Sequence, residues 1–359
     1  MIKSLIFNDK SIRLLGSSSY SSFINYNRRY YCSNETAKLN NNNNNTSSSS
    51  ISENTKEYLR KRDQVVNAHT DQLRIAIINT SKTASVAMKK HQLDEKPQYF
   101  SLLAKMMSGV SLCSSFLKDE ERFKAQIKSR NLNPFYIYAE SLKVGEVRGF
   151  LQETEAIDRQ YSGKVMGEDD EPPNGVFQIT KTLYGAKTPI ESSVELVDYS
   201  IENEFALYFF LSEQIPSAIK LETRIGKDNN DCFSGGILVQ TMPGTPDNII
   251  QDVRNRIRDL SIEKELFQNS KTLEDIIQLI KPESDTSPLV IIGRTLVDFY
   301  CRCNITTFKN HIMSLGLHEV KSMKQDNHNE IRCYSCNTIH KLTDKDFSDM
   351  INILENKQE

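Results

Sequence analysis

Four cysteines near the C-terminus constrain this chain more than any other feature of its sequence. They stand as Cys301-Arg302-Cys303 and, after a 29-residue spacer, as Cys333-Tyr334-Ser335-Cys336. Two close pairs of thiolates can enclose one tetrahedral Zn²⁺. So short a segment buries little apolar core, and metal binding would itself supply the folding energy. For structural zinc sites that contribution is on the order of 10 kcal/mol at neutral pH, comparable to the stability of a whole domain. Loss of the metal is therefore expected to unfold the segment. The first pair is tighter than the common Cys-x-x-Cys, and both pairs are close enough to close local disulfides once the metal is stripped. The motif can be a staple or a sensor.

Between the pairs, Asn304 is placed to cap a helix carrying Ile305, Phe308, Ile312 and Leu315 at helical spacing and ending at Gly316. The first pair then sits just before a helix N-terminus, a position that lowers thiol pKa values and favours thiolate ligands. His311, His318 and His328 lie in the same spacer. Four cysteines already complete a tetrahedron, so none of these histidines is assigned as a ligand.

The 359 residues, 38% of them hydrophobic, suffice for one or two globular domains beside the cysteine module. No apolar run approaches the ~20 residues that cross a bilayer, so no transmembrane helix is expected. A net charge of −2 gives no general attraction to nucleic acid or anionic membrane. Seven Lys/Arg against six Asp/Glu between residues 298 and 347 make the module no basic patch either. The seven cysteines are too unevenly placed for a secreted disulfide scaffold, and a reducing compartment fits them better. Cys113 and Cys232 read as ordinary small buried side chains.

Residues 1–55 do not look like part of a fold. The first 34 carry Lys3, Lys10, Arg13, Arg28 and Arg29 against a single Asp9, the composition of a mitochondrial transit peptide. Asn and Ser runs at 40–45 and 47–50 then make a linker unable to bury enough apolar surface to fold. Order is expected from residue 56. Residues 73–80 read as a strand and 82–91 as a helix. Pro97 opens a longer helix with a core stripe at Leu102, Leu103, Met106, Val110, Cys113 and Leu117. Strand-like runs at 122–128, 134–140 and 144–151 suggest a meander, followed by strands at 176–183 and 236–240 and a helix over 197–211. Asp198 and Glu213 have no nucleophile or base beside them and are taken as structural. This irregular mixture predicts an α+β core over 56–245.

Beyond Pro246, Ile249, Val253, Ile257 and Leu260 mark one amphipathic helix. Leu273, Ile276, Ile277 and Ile280 mark a second, opened by a capping box at Thr272-Leu273-Glu274-Asp275. Such short helices need a neighbour over their apolar stripes. The sequence predicts that residues 246–297 form a helical linker, ordered only while the zinc module at 298–347 is folded against it, with a tail at 348–359.

At this point the chain resembles the redox-regulated holdase chaperones of the heat-shock protein thirty-three family. The similarity runs from Asp63 to Phe347. It is carried by His91-Gln92-Leu93, Lys118-Asp119-Glu120-Glu121-Arg122, Glu146-Val147-Arg148-Gly149, Ser212-Glu213-Gln214-Ile215-Pro216-Ser217 and the run from Gly235 through Met242 to Gly244. Above all it rests on Cys-x-Cys followed by Cys-x-x-Cys-Asn at Cys301, Cys303, Cys333, Cys336 and Asn337. Asn304 stands where a Ser is usual, and His340 and Leu342 where aromatics are frequent. The resemblance implies an ATP-independent chaperone, not an enzyme, that binds unfolding proteins under oxidative stress. It implies one Zn²⁺ per reduced chain on the four cysteines. It also implies that oxidation forms the disulfides Cys301–Cys303 and Cys333–Cys336, releases the metal, and unfolds module and linker; a homodimer of the oxidised chain is left open. The absence of a Gly-x-x-x-x-Gly-Lys-Ser/Thr loop agrees with passive binding. A thiol–disulfide oxidoreductase working through Cys333 and Cys336 is the first rival, but the pair lies outside any βαβ context. A zinc nucleic-acid module is the second, disfavoured by the balanced charge.

From the N-terminal composition the mitochondrial matrix is the expected location, with a bland disordered tail and a cytoplasmic protein as the alternative. The mature chain is expected to start between Tyr30 and Lys56, as N-terminal sequencing of the endogenous protein would show. A full-length chain found in cytosol would end that assignment.

Overall fold

A computed structural model describes Glu57 and residues 61–356 except 119, 158–159, 161–170, 199 and 227–230. The expected targeting segment and Asn/Ser linker lie outside these residues. Along the chain come β1 (Gln64–His69), β2 (Leu73–Asn79), α1 (Ser81–His91), α2 (Pro97–Ser114), β3 (Arg122–Ser129), β4 (Tyr136–Leu142) and β5 (Glu146–Gln152). Then follow β6 (Gly175–Thr182), β7 (Ile190–Glu195), α3 (Ile201–Tyr208), β8 (Ser217–Ile225), β9 (Cys232–Thr241), α4 (Asp247–Asp259) and α5 (Leu273–Ile280). The C-terminal part holds β10 (Val290–Leu296), β11 (Asp298–Phe299), α6 (Ile305–Met313), α7 (Leu317–Gln325), β12 (Glu330–Arg332), β13 (Ile339–Lys341) and α8 (Asp344–Glu355).

The α+β class holds, and the meander is present as β3-β4-β5. One sheet has the order β10-β1-β2-β9-β8, and a second has the order β11-β5-β4-β3-β6-β7. Every pairing in the two is antiparallel except β11 with β5. Helix α2 runs between the sheets, and this overrides the single apolar stripe read from its sequence. Small residues let it be buried on all sides, with Ser108, Gly109 and Ser111 as deep as Met106 and Val110. Gly109 is required there, because a Cβ would fall 2.4 Å from Phe205 Cε2. The helix stops at Ser114, three residues short of Leu117.

The β2 sequence is apolar on both faces because both are covered. Ala76 and Ile78 face α2 and the second sheet, while Leu73, Ile75 and Ile77 face α4 and α5. Here the structure corrects an expectation. The stripes of the 246–280 helices, Ile249, Val253 and Ile257 with Leu273, Ile276 and Ile280, are covered by the outer face of the first sheet, where they meet Val66, Ile237 and Val239. No residue of the cysteine module belongs to that core. Each such side chain, fully buried, contributes about 1.5–3 kcal/mol of gross transfer free energy. The helical linker also ends in a strand. β10 returns the chain to β1, with Gln64 opposite Leu296, and its apolar Ile292 and Leu296 remain exposed.

The capping predictions at Thr272 and Asn304 are met. At α1 the cap comes from elsewhere. Thr80 makes no side-chain cap bond, and Asp63, one residue before β1, accepts from Lys82 N at 3.2 Å and Thr83 N at 2.6 Å. The C-terminal module packs Ile312, Val320, Leu342, Phe347 and Met350 into a separate small core. Its last helix α8 has a capping box of its own at Thr343 and Asp346, so the expected tail from 348 is helical as far as Glu355.

Asp198 and Glu213 are both held by neighbouring groups. Asp198 accepts from Ser200 N at 2.7 Å and Asn203 Nδ2 at 2.5 Å, and Glu213 accepts from Lys181 and Tyr208. The buried acid that stands out is Glu204 on α3. Its Oε1 accepts from Val197 N and Asp198 N, but Oε2 finds no hydrogen-bond partner. Burial pushes its pKa up to about 8. The folded state then holds a proton that the unfolded chain releases near pH 4.5, so stability is full below that pH and falls as pH rises toward 8. A loss of roughly 2–4 kcal/mol between pH 5 and 8 is expected from urea unfolding. Glu204→Gln should flatten this dependence and be the more stable form at pH 8.

Candidate metal centre

Cys301 follows β11, and Cys303 precedes the Asn304 cap of α6, whose side chain accepts from Thr307 N at 2.8 Å. Cys333 and Cys336 lie in the turn between β12 and β13. That turn is closed by Cys333 N donating to Thr338 O at 2.9 Å and Asn337 N donating to Cys333 O at 2.7 Å. Asn337 takes the left-handed conformation (φ 56°) that the tight turn needs. The two elements bring all four sulfurs within 4.8 Å of one another. Cys301 Sγ lies 3.8 Å from Cys333 Sγ, and Cys303 Sγ lies 3.5 Å from Cys336 Sγ. A tetrahedron with metal–sulfur bonds near 2.3 Å has edges of about 3.8 Å, so the cluster could hold a metal ion of zinc's size.

The electrostatics agree with that fit. Burial and the neighbouring sulfurs push the Cys303 thiol up, against the expectation from its place before a helix. Burial and the charge of Cys301 push Cys333 up as well. For Cys336 burial also works upward, but hydrogen bonds from Thr338 and the adjacent sulfurs outweigh it and bring the thiol down to about 7. Four thiolates so close cannot coexist without a cation among them. His311, His318 and His328 are exposed, and among the described residues the cluster contains cysteines alone. The nearby histidine is His340, with Nε2 3.3 Å from Cys303 Sγ and its ring against Phe308. Its β13 position, close to the second pair, was the only sequence signal for that contact.

The core domain reaches this centre through β5 and the end of α1. Arg148 Nη1 donates to Cys301 Sγ at 3.0 Å, and Tyr300 N donates to Val147 O at 3.0 Å. Arg302 makes a bidentate pair with Glu146 at 2.6 and 3.0 Å. Asn337 Nδ2 donates to Lys90 O at 2.7 Å, His91 Nε2 lies 3.3 Å from Ser335 O, and the Tyr334 ring lies 5.9 Å from that of Phe150. Cys113 is buried in the main core and Cys232 half-buried beside Ser81, both far in role from the cluster.

Comparison with known proteins accounts for most of this chain. A sequence model described as Hsp33 protein matches residues 62–343. The chain belongs to the Hsp33 family. It is similar to the 33 kDa chaperonin of Desulforamulus reducens, 29% identical over 286 residues that cover 79% of this chain and 95% of that protein. The 33 kDa chaperonin of Bacillus pumilus is 26% identical with the same two coverages. The crystal structure of the 33 kDa chaperonin (heat shock protein 33 homolog) from Thermotoga maritima shares the fold. Its TM-score is 0.67 at 23% identity, over 82% of this chain and 99% of that one. Within this Hsp33 chain, each of Cys301→Ser, Cys303→Ser, Cys333→Ser and Cys336→Ser is expected to lower zinc affinity by more than the 10–100-fold typical of outer-shell changes. Undiminished affinity in any one, by competition with a chromogenic chelator, would remove that residue from the site.

Proposed function

We propose that this Hsp33 chain is a redox-regulated, ATP-independent holdase that captures unfolding proteins under oxidative stress. The observation that carries the reading is the four-sulfur cluster, set in a module with a core of only five buried side chains and resting on β5 and α1. In the reduced state Cys301, Cys303, Cys333 and Cys336 hold one Zn²⁺. When bound, zinc supplies the positive charge that lets four thiolates sit side by side.

Activation begins with hydrogen peroxide. One cysteine thiolate attacks a peroxide oxygen, the O–O bond breaks, and hydroxide leaves a sulfenic acid behind. The thiolate of the paired cysteine then displaces that hydroxyl and closes the S–S bond. Each disulfide consumes one peroxide and two protons, passes two electrons and yields two waters. The pairs are Cys301–Cys303 and Cys333–Cys336, as the family resemblance implies. Four neutral sulfurs no longer favour a cation, and without it the small module core is too little to stay folded.

The linker responds through the chain rather than through direct cover. Once β11 leaves β5, β10 is held by β1 alone and by the Arg294–Glu274 pair to α5. Fraying of α4 and α5 then uncovers Ile75, Ile77, Phe233, Ile237 and Val239, an apolar sheet face suited to unfolding clients. The basic N-terminal segment directs the protein to the mitochondrial matrix.

Light scattering of a heat-denatured client tests the reading. Peroxide-treated protein is expected to suppress aggregation at about equimolar ratio and the reduced, zinc-loaded form to leave it unchanged. Equal activity in both forms, or equal hydrogen exchange across residues 246–288, would remove the switch.

A further inference from the structure

The core sheets touch the sulfur cluster itself at Arg148. Its guanidinium donates to Cys301 Sγ from Nη1, while Nε and Nη2 lie 2.6 and 2.5 Å from Glu140 Oε1 on the neighbouring strand β4. Glu140 is fixed in turn. It is buried, and Tyr138 donates to its Oε2 at 2.8 Å, with Arg122 Nη1 3.4 Å from the same oxygen. All of these groups belong to the core meander, so the aim of Arg148 is set by residues outside the module. The pairing of β11 with β5 then places Cys301 in front of it.

A thiolate is a strong acceptor for a guanidinium, whereas a disulfide sulfur carries no charge and accepts weakly. We propose that Arg148 is a positioning residue of the switch, making the docking of the module on β5 and α1 conditional on negative charge at Cys301 Sγ. The proposal rests on the holdase reading and adds to it the residue that senses the state of the cluster. Among the described residues, the other contacts between core and module cannot make this distinction. The two β11–β5 residue pairs, the Asn337–Lys90 bond, the His91–Ser335 contact and the Tyr334–Phe150 ring contact involve no sulfur. Arg302–Glu146 is an exposed ion pair of small weight. When the peroxide reaction above turns the Cys301 thiolate into a disulfide sulfur, Arg148 loses its acceptor while keeping Glu140, and the charge-assisted tie between core and cluster goes. The same bond draws electron density from the Cys301 sulfur, which makes it a slower nucleophile while it lasts.

The test uses the full-length reduced protein loaded with Co²⁺ in place of zinc, because the sulfur-to-cobalt charge-transfer band reports electron density on the thiolates. Arg148→Met is expected to shift that band to longer wavelength at one metal per chain. It should also speed peroxide-driven metal release by roughly tenfold. Hydrogen exchange at residues 88–91 and 333–337 should rise toward the oxidised level while the metal is still bound. Arg148→Lys, which keeps the cation, is expected to recover part of the band position, an ordering that a packing role would not produce. Arg148→Gln is the second neutral variant should the Met form not fold. A band and a release rate unchanged in a neutral variant overturn the proposal. Failure of the oxidised, unsubstituted protein to hold a client would instead overturn the holdase reading, and the cobalt spectra would still report whether Arg148 acts on Cys301.

Discussion

Four sulfurs confined within 4.8 Å repel one another as thiolates, and the small C-terminal module depends on how that repulsion is relieved. With a divalent cation among them, the turn between β12 and β13 and the segment before α6 become one rigid corner. Without it, five buried side chains must hold three helices and a two-stranded ribbon. The main core shows the contrast, since α2 alone contributes more buried apolar side chains than the whole module. One part of the chain is therefore held by ordinary hydrophobic burial, and the other has little of it beside a cluster of sulfurs that could hold a metal ion.

The two regions communicate over a short bridge. Val297, between β10 and β11, is buried, and its N–H donates to Asp63 O while its carbonyl accepts from Thr83 Oγ1. Asp63 also caps α1, and the far end of α1 supplies Lys90 O and His91 to the module. Helix α1 thus acts as a strut between the β10–β11 crossing and the cysteine turn. Burial raises the Asp63 pKa to about 6, so this junction carries an acid that would rather be neutral were it not capping a helix.

Local chemistry was legible in the sequence, and long-range placement was not. Thr272 and Asn304 could be recognised as caps because their partners lie three residues away, and the four cysteines because their spacing itself encodes a chelate. The fold class and the meander were likewise visible in short periodic runs. By contrast, the apolar stripes of α4 and α5 said that a cover was needed without saying which, and the sheet took the role given to the module. Asp63 as the cap of α1, Arg148 against Cys301 and His340 beside Cys303 join residues between 19 and 153 positions apart. No local pattern encodes such contacts. β10 escaped because its apolar residues face water, so its run lacks the alternation that marks a half-buried strand.

The neighbour relation of β1 and β10 bears on how the molecule comes into being. β1 is the first strand of the fold to be made, and β10 is assembled only after every other strand of the two large sheets except β11. Whether the chain emerges from a ribosome or threads through a translocation pore, β1 can pair with β2 at once but must keep its other edge bare until residue 296 has arrived. A long-lived bare edge beside Val65 and Val66 is an invitation to pair with the wrong chain. Until β10 arrives, the growing chain carries an open strand edge of the kind that an unfolding protein exposes.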